Sequence, residues 1–184
     1  MIKRYSSVCL LILLLGGFLW YYHSHSALTT TAYYNLSFTN QEQYSDHMVE
    51  FTYPANWQLE QQRVDGDEIL HHVSYRELNK QVMGYVQVWA AIKPLPQFLQ
   101  ESRHSPADTT DYIDFSMKQL KDNQYQGYLL AYQRDGVQNS FVAREYFFEH
   151  NQRIYRISLF VAKDAWGDYY QQVFDQMITS FKIY

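Results

Sequence analysis

YQGYLLAYQRDGVQNSFVAREYFFEHNQRIYRISLFVAKDAWGDYYQQVFDQMITSFKIY, residues 125–184, alternates for most of its length and then changes period. Residues 125–134, 140–150 and 153–161 place apolar and polar side chains in turn, the two-residue repeat of a half-buried strand. Asp135-Gly136 opens the first connection and His150-Asn151-Gln152 the second, both short enough for hairpins. These three strands read as an antiparallel meander. From Trp166 onward the spacing is helical: Trp166, Tyr169, Tyr170, Val173, Phe174, Met177, Ile178 and Phe181 lie on one stripe. Asp164 stands where an N-cap is expected, its carboxylate able to accept from first-turn amides. A long amphipathic helix beside an antiparallel sheet predicts an α+β sandwich.

Upstream the strand pattern continues. Residues 33–38 and 48–53 read as strands, the second stopped by Pro54, which cannot donate to a ladder. Asp65-Gly66 marks a turn before a strand at 69–75. Residues 84–92 alternate clearly: Val86, Val88, Ala90 and Ile92 face one way, Tyr85, Gln87 and Trp89 the other. Lys93-Pro94 opens a short helix carrying Leu95, Phe98 and Leu99. Residues 103–111 are polar and read as a loop, and 112–120 fit either a strand or a short helix.

The N-terminus differs in kind. After Arg4 no charged residue occurs until Glu42, and residues 8–22 read VCLLILLLGGFLWYY behind Lys3 and Arg4. As a helix, residues 6–22 span about 26 Å, near the lower limit for a bilayer core. The basic residues lie on the N-terminal side only, so the positive-inside rule puts that end in the cytoplasm and the remainder outside. Trp20, Tyr21 and Tyr22 suit the outer interface and favour an uncleaved single-pass anchor. Ser24-His25-Ser26 leaves open a cleaved signal peptide, with the protein then secreted. Cys9 stands at the start of the apolar run, whereas a lipidated cysteine should follow it. The expected organisation is an anchor and the start of a stalk at 1–27, stalk and first strand at 28–45, and one domain at 46–184.

The chain of 184 residues, 47% apolar and 18% charged, has material for one core. Its single cysteine excludes a disulfide framework and a cysteine-based zinc cluster. Beyond Lys3 and Arg4, 13 basic and 19 acidic residues remain, a balance that gives no reason to expect nucleic acid.

Three stretches in order carry a family resemblance. Phe51-Thr52-Tyr53-Pro54-Ala55-Asn56-Trp57, then Tyr85-Val86-Gln87-Val88-Trp89 leading to Pro94-Leu95 and Phe98-Leu99, then the closing helix ending in Ser180-Phe181-Lys182 resemble the PsbP family over about residues 46–184. The resemblance implies an antiparallel sheet flanked by helices, an α/β/α sandwich, and an accessory protein without enzymatic activity. Photosynthetic members have a basic N-terminal docking region, whereas the first charges after the apolar run here are acidic. No metal-binding or partner-contact residues carry over.

Chemistry-bearing residues are few. His71-His72 are adjacent in a strand, point to opposite faces and cannot easily share a metal; one half-buried and one surface histidine are expected. His23-Ser24-His25 alternate better but lie in the polar stalk. Asp65-Gly66-Asp67-Glu68 offers three acids, too few for Ca²⁺ without further donors, and reads as an acidic turn. Asp111 with Asp114, and Glu145 with Glu149, are carboxylate pairs of the kind acid–base catalysis uses; Glu145 and Glu149 share a strand face with Phe141, Ala143 and Phe147 and read as solvated. No nucleophile elbow, His-Glu-x-x-His pair or glycine-rich phosphate loop occurs, and no catalytic residue, metal site or cofactor is expected.

The anomaly is aromatic. Eighteen Tyr, eleven Phe and four Trp are more than the last helix can bury, and Tyr85 and Trp89, with Tyr128 and Tyr132, alternate onto what should be an outer face. Such residues either lie beneath the chain's own helices or form a docking surface or apolar groove, since Tyr and Trp join a large apolar body to a hydrogen-bonding tip. The expected function is a membrane-anchored, extracytoplasmic binding module that docks on an envelope protein through Tyr85 and Trp89. A small-ligand or divalent-ion domain is the alternative, and an unrecognised hydrolase a third.

Overall fold

Strand alternation in the sequence becomes the two faces of one large sheet. The computed structural model describes residues 40–64, 68–78, 81–103, 112–120, 125–135 and 140–184. The apolar run at 8–22, His23 and His25, the strand expected at 33–38, the acidic turn at 65–67 and Asp111 lie outside the described residues. No helix among those described is long and apolar enough to cross a membrane.

Ten strands and two helices are present among these residues: β1 (Gln41–Ser45), β2 (Val49–Pro54), β3 (Trp57–Gln61), β4 (Ile69–Glu77), β5 (Val82–Ala90), α1 (Leu95–Arg103), β6 (Ile113–Leu120), β7 (Gly127–Asp135), β8 (Ser140–His150), β9 (Arg153–Ala162), α2 (Asp168–Ser180) and β10 (Lys182–Ile183). Seven strands form an antiparallel sheet in the order β3-β4-β5-β9-β8-β7-β6, and β1-β2-β10 form a smaller one. The expected meander is β7-β8-β9, and the ambiguous segment at 112–120 is strand β6. Two edge strands carry too little alternation to be read in advance: β3 has two apolar residues in five, and β10 is two residues long.

The turn between β8 and β9 fixes their register. Asn151 and Gln152 both have positive φ, 48° and 59°, and His150 pairs directly with Arg153. Two successive left-handed residues make the type I′ hairpin, whose twist matches that of the strands it joins. One sheet face then receives Val86, Val88, Tyr155, Ile157, Leu159, Tyr146 and Phe148, all buried.

Helix α2 and the small sheet close that face. Tyr170, Val173, Phe174 and Met177 of α2 are buried, and Phe181 just beyond it packs on Phe51, Phe148 and Tyr155. Removing a side chain of this size from water contributes about 1.5–3 kcal/mol. The hydroxyl of Tyr170 donates to the buried Glu77 carboxylate at 3.1 Å, tying the helix to β4.

The helix start differs from expectation. Asp164 is exposed in a turn, and Gly167 occupies the N-cap without a side-chain hydrogen bond. The chain leaves β9 through amides of Ala165 and Trp166 that both donate to the Ala162 carbonyl. Trp166 is thereby turned onto the guanidinium of Arg144, 4.5 Å from its ring centroid, and does not extend the helical stripe.

Gly84 is required by close approach. A Cβ there would lie 2.0 Å from the Ser158 carbonyl oxygen and 2.5 Å from the Tyr75 ring. Gly84→Ala should therefore destabilise the domain by about 2–3 kcal/mol through overpacking. Gly167→Ala, where nothing lies within 4 Å, should cost under about 1 kcal/mol. Urea unfolding of the two variants checks the contrast.

Candidate functional site

The opposite sheet face starts from the same alternation but carries polar groups among its aromatics. Register sets Gln87 beside Arg156 and Arg156 beside Phe147; it also sets Tyr85 beside Ser158 and Ser158 beside Glu145. Arg156 and Glu145 are therefore diagonal neighbours on adjacent strands, close enough for long side chains to meet. They form an ion pair: Glu145 Oε2 lies 2.5 Å from Arg156 Nη2 and 2.7 Å from its Nε.

Glu145 is only 3% exposed, which corrects its expected place on a solvated face. Burial is tolerated because the carboxylate is fully engaged. Ser158 Oγ donates to the same oxygen at 2.7 Å, and the Tyr132 hydroxyl donates to the other at 2.7 Å. An oxygen pair so committed anchors a charge rather than abstracting protons. Burial first, with Glu145 adding to it, pushes the Tyr132 hydroxyl far above its ordinary range. Burial works against the charge on Arg156, but Glu145 outweighs it and holds the guanidinium above its usual value. The cation also lies over the rings of Tyr85 and Phe147, at 4.7 Å and 5.1 Å.

Glu149 behaves as a surface carboxylate with a structural task. Its Oε2 accepts the backbone N–H of Leu95 at 3.1 Å and so caps the start of α1. Helix α1 then lies over part of this face, burying Leu95 and Leu99 against Leu130, Phe147 and Ile154. Phe98 meets Trp89 edge-on at 5.6 Å. Between α1 and the sheet remains a partly open cavity of about 310 Å³ with Arg156 and Glu145 in its lining. Beside it, a shallower concavity of about 690 Å³ extends over β3, β4 and β5, and Tyr85 and Phe160 border both.

Tyr85 and Trp89 are both half-buried and both line the cavity, with Trp89 Nε1 donating to Gln87 at 3.2 Å. Tyr132 is buried and Tyr128 packs against the cluster under α1. The aromatic face is thus covered in part by the chain's own helix, and the remainder is the concave surface. What sequence reading missed here is Arg156 with Ser158 and Gln87. The available signal was Ile154, two residues before Arg156 and so on the same strand face: a charge beside an apolar neighbour on a covered face must find a partner.

His71 and His72 do point to opposite faces. His71 is 5% exposed, with Nε2 at 3.3 Å from Asp46 Oδ2, whereas His72 Nδ1 lies 2.9 Å from Gln87 Nε2. Burial lowers the titration of both imidazoles; Asp46 partly opposes this at His71, and His71 and Arg156 reinforce it at His72. Burial favours the neutral form of Asp46, but the Val49 and Met48 amides and the Tyr44 hydroxyl outweigh it and hold the carboxyl below its ordinary value. Asp114, of the other carboxylate pair, is exposed and accepts from Gln133 at 3.3 Å. Among the described residues no group of three or more His, Cys, Asp or Glu side chains converges for a metal.

These elements have a known arrangement. The chain is similar to the solution structure of cyanobacterial PsbP (CyanoP) from Synechocystis sp. PCC 6803. The TM-score is 0.55 at 20% identity, over 79% of this chain and 93% of that one. It is also similar to a crystal structure from Bacteroides thetaiotaomicron, with a TM-score of 0.50 at 10% identity over 74% of this chain and 45% of the other. The domain has a PsbP-like fold. No family model matches the sequence, and no curated protein matches it.

Two measurements check the electrostatics. Glu145→Gln or Arg156→Met alone should cost about 3–5 kcal/mol, because each strands a buried partner, and the double variant should cost less than the sum; chemical unfolding of the cycle reads this. The second is pH. The unfolded chain titrates its histidines near 6.5, while the folded chain holds His71 and His72 lower. Acidification through about pH 6.5 therefore loads protons on the unfolded state first, and stability falls from there downward. The melting temperature should be flat above pH 7, drop toward pH 5, and drop less in the His71→Gln/His72→Gln variant.

Proposed function

We propose that this protein is an extracytoplasmic accessory module, held at the membrane by the apolar N-terminal segment, that acts by binding an envelope protein and performs no chemistry. The observation that supports it best is the concave part of the sheet face left uncovered by α1, where Tyr85 is half-buried and Met83 is 62% exposed. Large apolar and aromatic groups on a concave, partly polar surface are what an interface core requires. Trp89 continues this surface beneath α1. Glu145, the carboxylate a catalytic reading would use first, has both oxygens occupied by Arg156, Ser158 and Tyr132. The PsbP-like fold agrees with an accessory role. A tether of the length between residue 23 and β1 would keep the surface near the bilayer and raise its effective concentration toward membrane partners.

A second reading has its own support. The partly open cavity beside Trp89 has the size and aromatic lining of a small-molecule site.

Crosslinking of the tagged full-length protein in native membranes, followed by identification of what co-purifies, separates the two. The docking reading expects one near-stoichiometric envelope protein. Met83→Glu combined with Tyr85→Ser should reduce its recovery at least about tenfold while the far-ultraviolet circular dichroism stays that of the folded chain. Undiminished recovery would remove this surface from consideration.

A further inference from the structure

The geometry of the cavity under α1 points to a specific class of occupant, and this rests on the reading that the α1 face binds rather than reacts. We propose that it is a site for a small, planar, non-cationic aromatic molecule carrying one hydrogen-bond-accepting oxygen.

Size is the first constraint. At about 310 Å³ the cavity is at the lower end of ligand pockets, suited to one or two fused rings. Shape chemistry is the second. Its walls include Trp89, Phe98, Tyr112, Phe115, Phe141 and Phe160, ring systems that favour an aromatic guest in offset or edge-on contact.

Charge decides between guests of that shape. Glu145 and Arg156 neutralise one another at 2.5 Å, and Arg134, 5.5 Å from the Tyr112 ring centroid, adds a second guanidinium to the lining, so the wall carries more cationic than anionic groups and disfavours a cationic guest. Hydrogen-bonding capacity is unbalanced as well. The oxygens of Glu145 already accept from Arg156, Ser158 and Tyr132. Arg156 has five N–H donors, and its bonds to Glu145, Gln87 and Tyr85 account for four of them. The guanidinium lies in the cavity lining. What the polar floor can still offer is a donor, and a donor selects an acceptor oxygen. Because the guanidinium is clamped between Tyr85 and Phe147, that donor is held in place before the guest arrives.

The test uses the full-length chain in detergent micelles and reads the methyl resonances of Leu99 and Leu130, which line the cavity and do not report on partition into the micelle. Three probes share one ring system: 2-naphthol, naphthalene and the cationic 2-naphthylmethylammonium. 2-Naphthol should shift both sets of methyls saturably. Naphthalene should bind about fivefold more weakly for want of the hydrogen bond, and the ammonium should also bind more weakly than 2-naphthol. Ser102 is exposed on α1 and borders the cavity, so Ser102→Phe should fill it from outside. That variant should lose 2-naphthol at least tenfold with an unchanged melting temperature, and Ser102→Leu serves should the larger ring disturb folding. Unmoved methyls in the natural sequence, equal affinity in the filled variants, or tighter binding of the ammonium would each overturn the proposal. Titration by 2-naphthol with no crosslinked partner would leave this site standing and remove the docking reading; the reverse pattern would do the opposite.

Discussion

Everything on this domain depends on the register between β8 and β9. The left-handed pair Asn151 and Gln152 sets it, and a slip of one residue would move every side chain of a strand to the other face. In the observed register Tyr155, Ile157 and Leu159 meet Tyr146 and Phe148 on the α2 side, while Arg156 and Ser158 meet Glu145 on the α1 side. Shifted, the ion pair would be split, with one partner pressed unpaired into the aromatic core beneath Phe181. The ordinary hydrophobic drive to bury one face thus also assembles the polar cluster on the other.

The two faces are closed by different means. On the α2 side stacked rings dominate: Tyr125, Phe148 and Tyr155 lie nearly parallel at 4.7 Å and 4.9 Å, with Phe181 edge-on to the last two. Polar groups there are few, and Glu77 is held by Tyr170 and Asn56. On the α1 side the covering helix is short, nine residues, and its start is held by the Glu149 carboxylate. A short cover over a wide sheet leaves concave surface, and this geometry produces both the cavity and the open concavity beside it.

Much of this was legible beforehand. Alternation at residues 84–92 and 125–161 gave the strands of the main sheet's centre, since central strands must bury one face completely. The spacing from Tyr170 to Phe181 gave α2 for the same reason. The edges were not legible: β3 and β10 bury little, so their residues need not alternate. At the helix start, Asp164 fits the capping pattern, but Trp166 finds a better contact on Arg144 than on the helical stripe. On the site, Tyr85 and Trp89 stood out as excess aromatics. Arg156 did not, because a charge between apolar neighbours reads as solvent-facing until its diagonal partner is known. Diagonal partners come from register, which a single strand's sequence does not contain.

One irregularity has a consequence at the far edge of the sheet. Strand β6 slips its pairing with β7 between Ile113 and Ser116, and Asp114 within that slip has a φ of 52°. The strand also exposes Ile113 and Met117, the composition that invites a neighbouring chain to add itself to a ladder. A bulge with a charged residue at its crest breaks the row of unpaired amides and carbonyls such an addition would need. The edge is therefore guarded by its shape rather than by its polarity, and copies crowded together would meet without zipping into a continuous sheet.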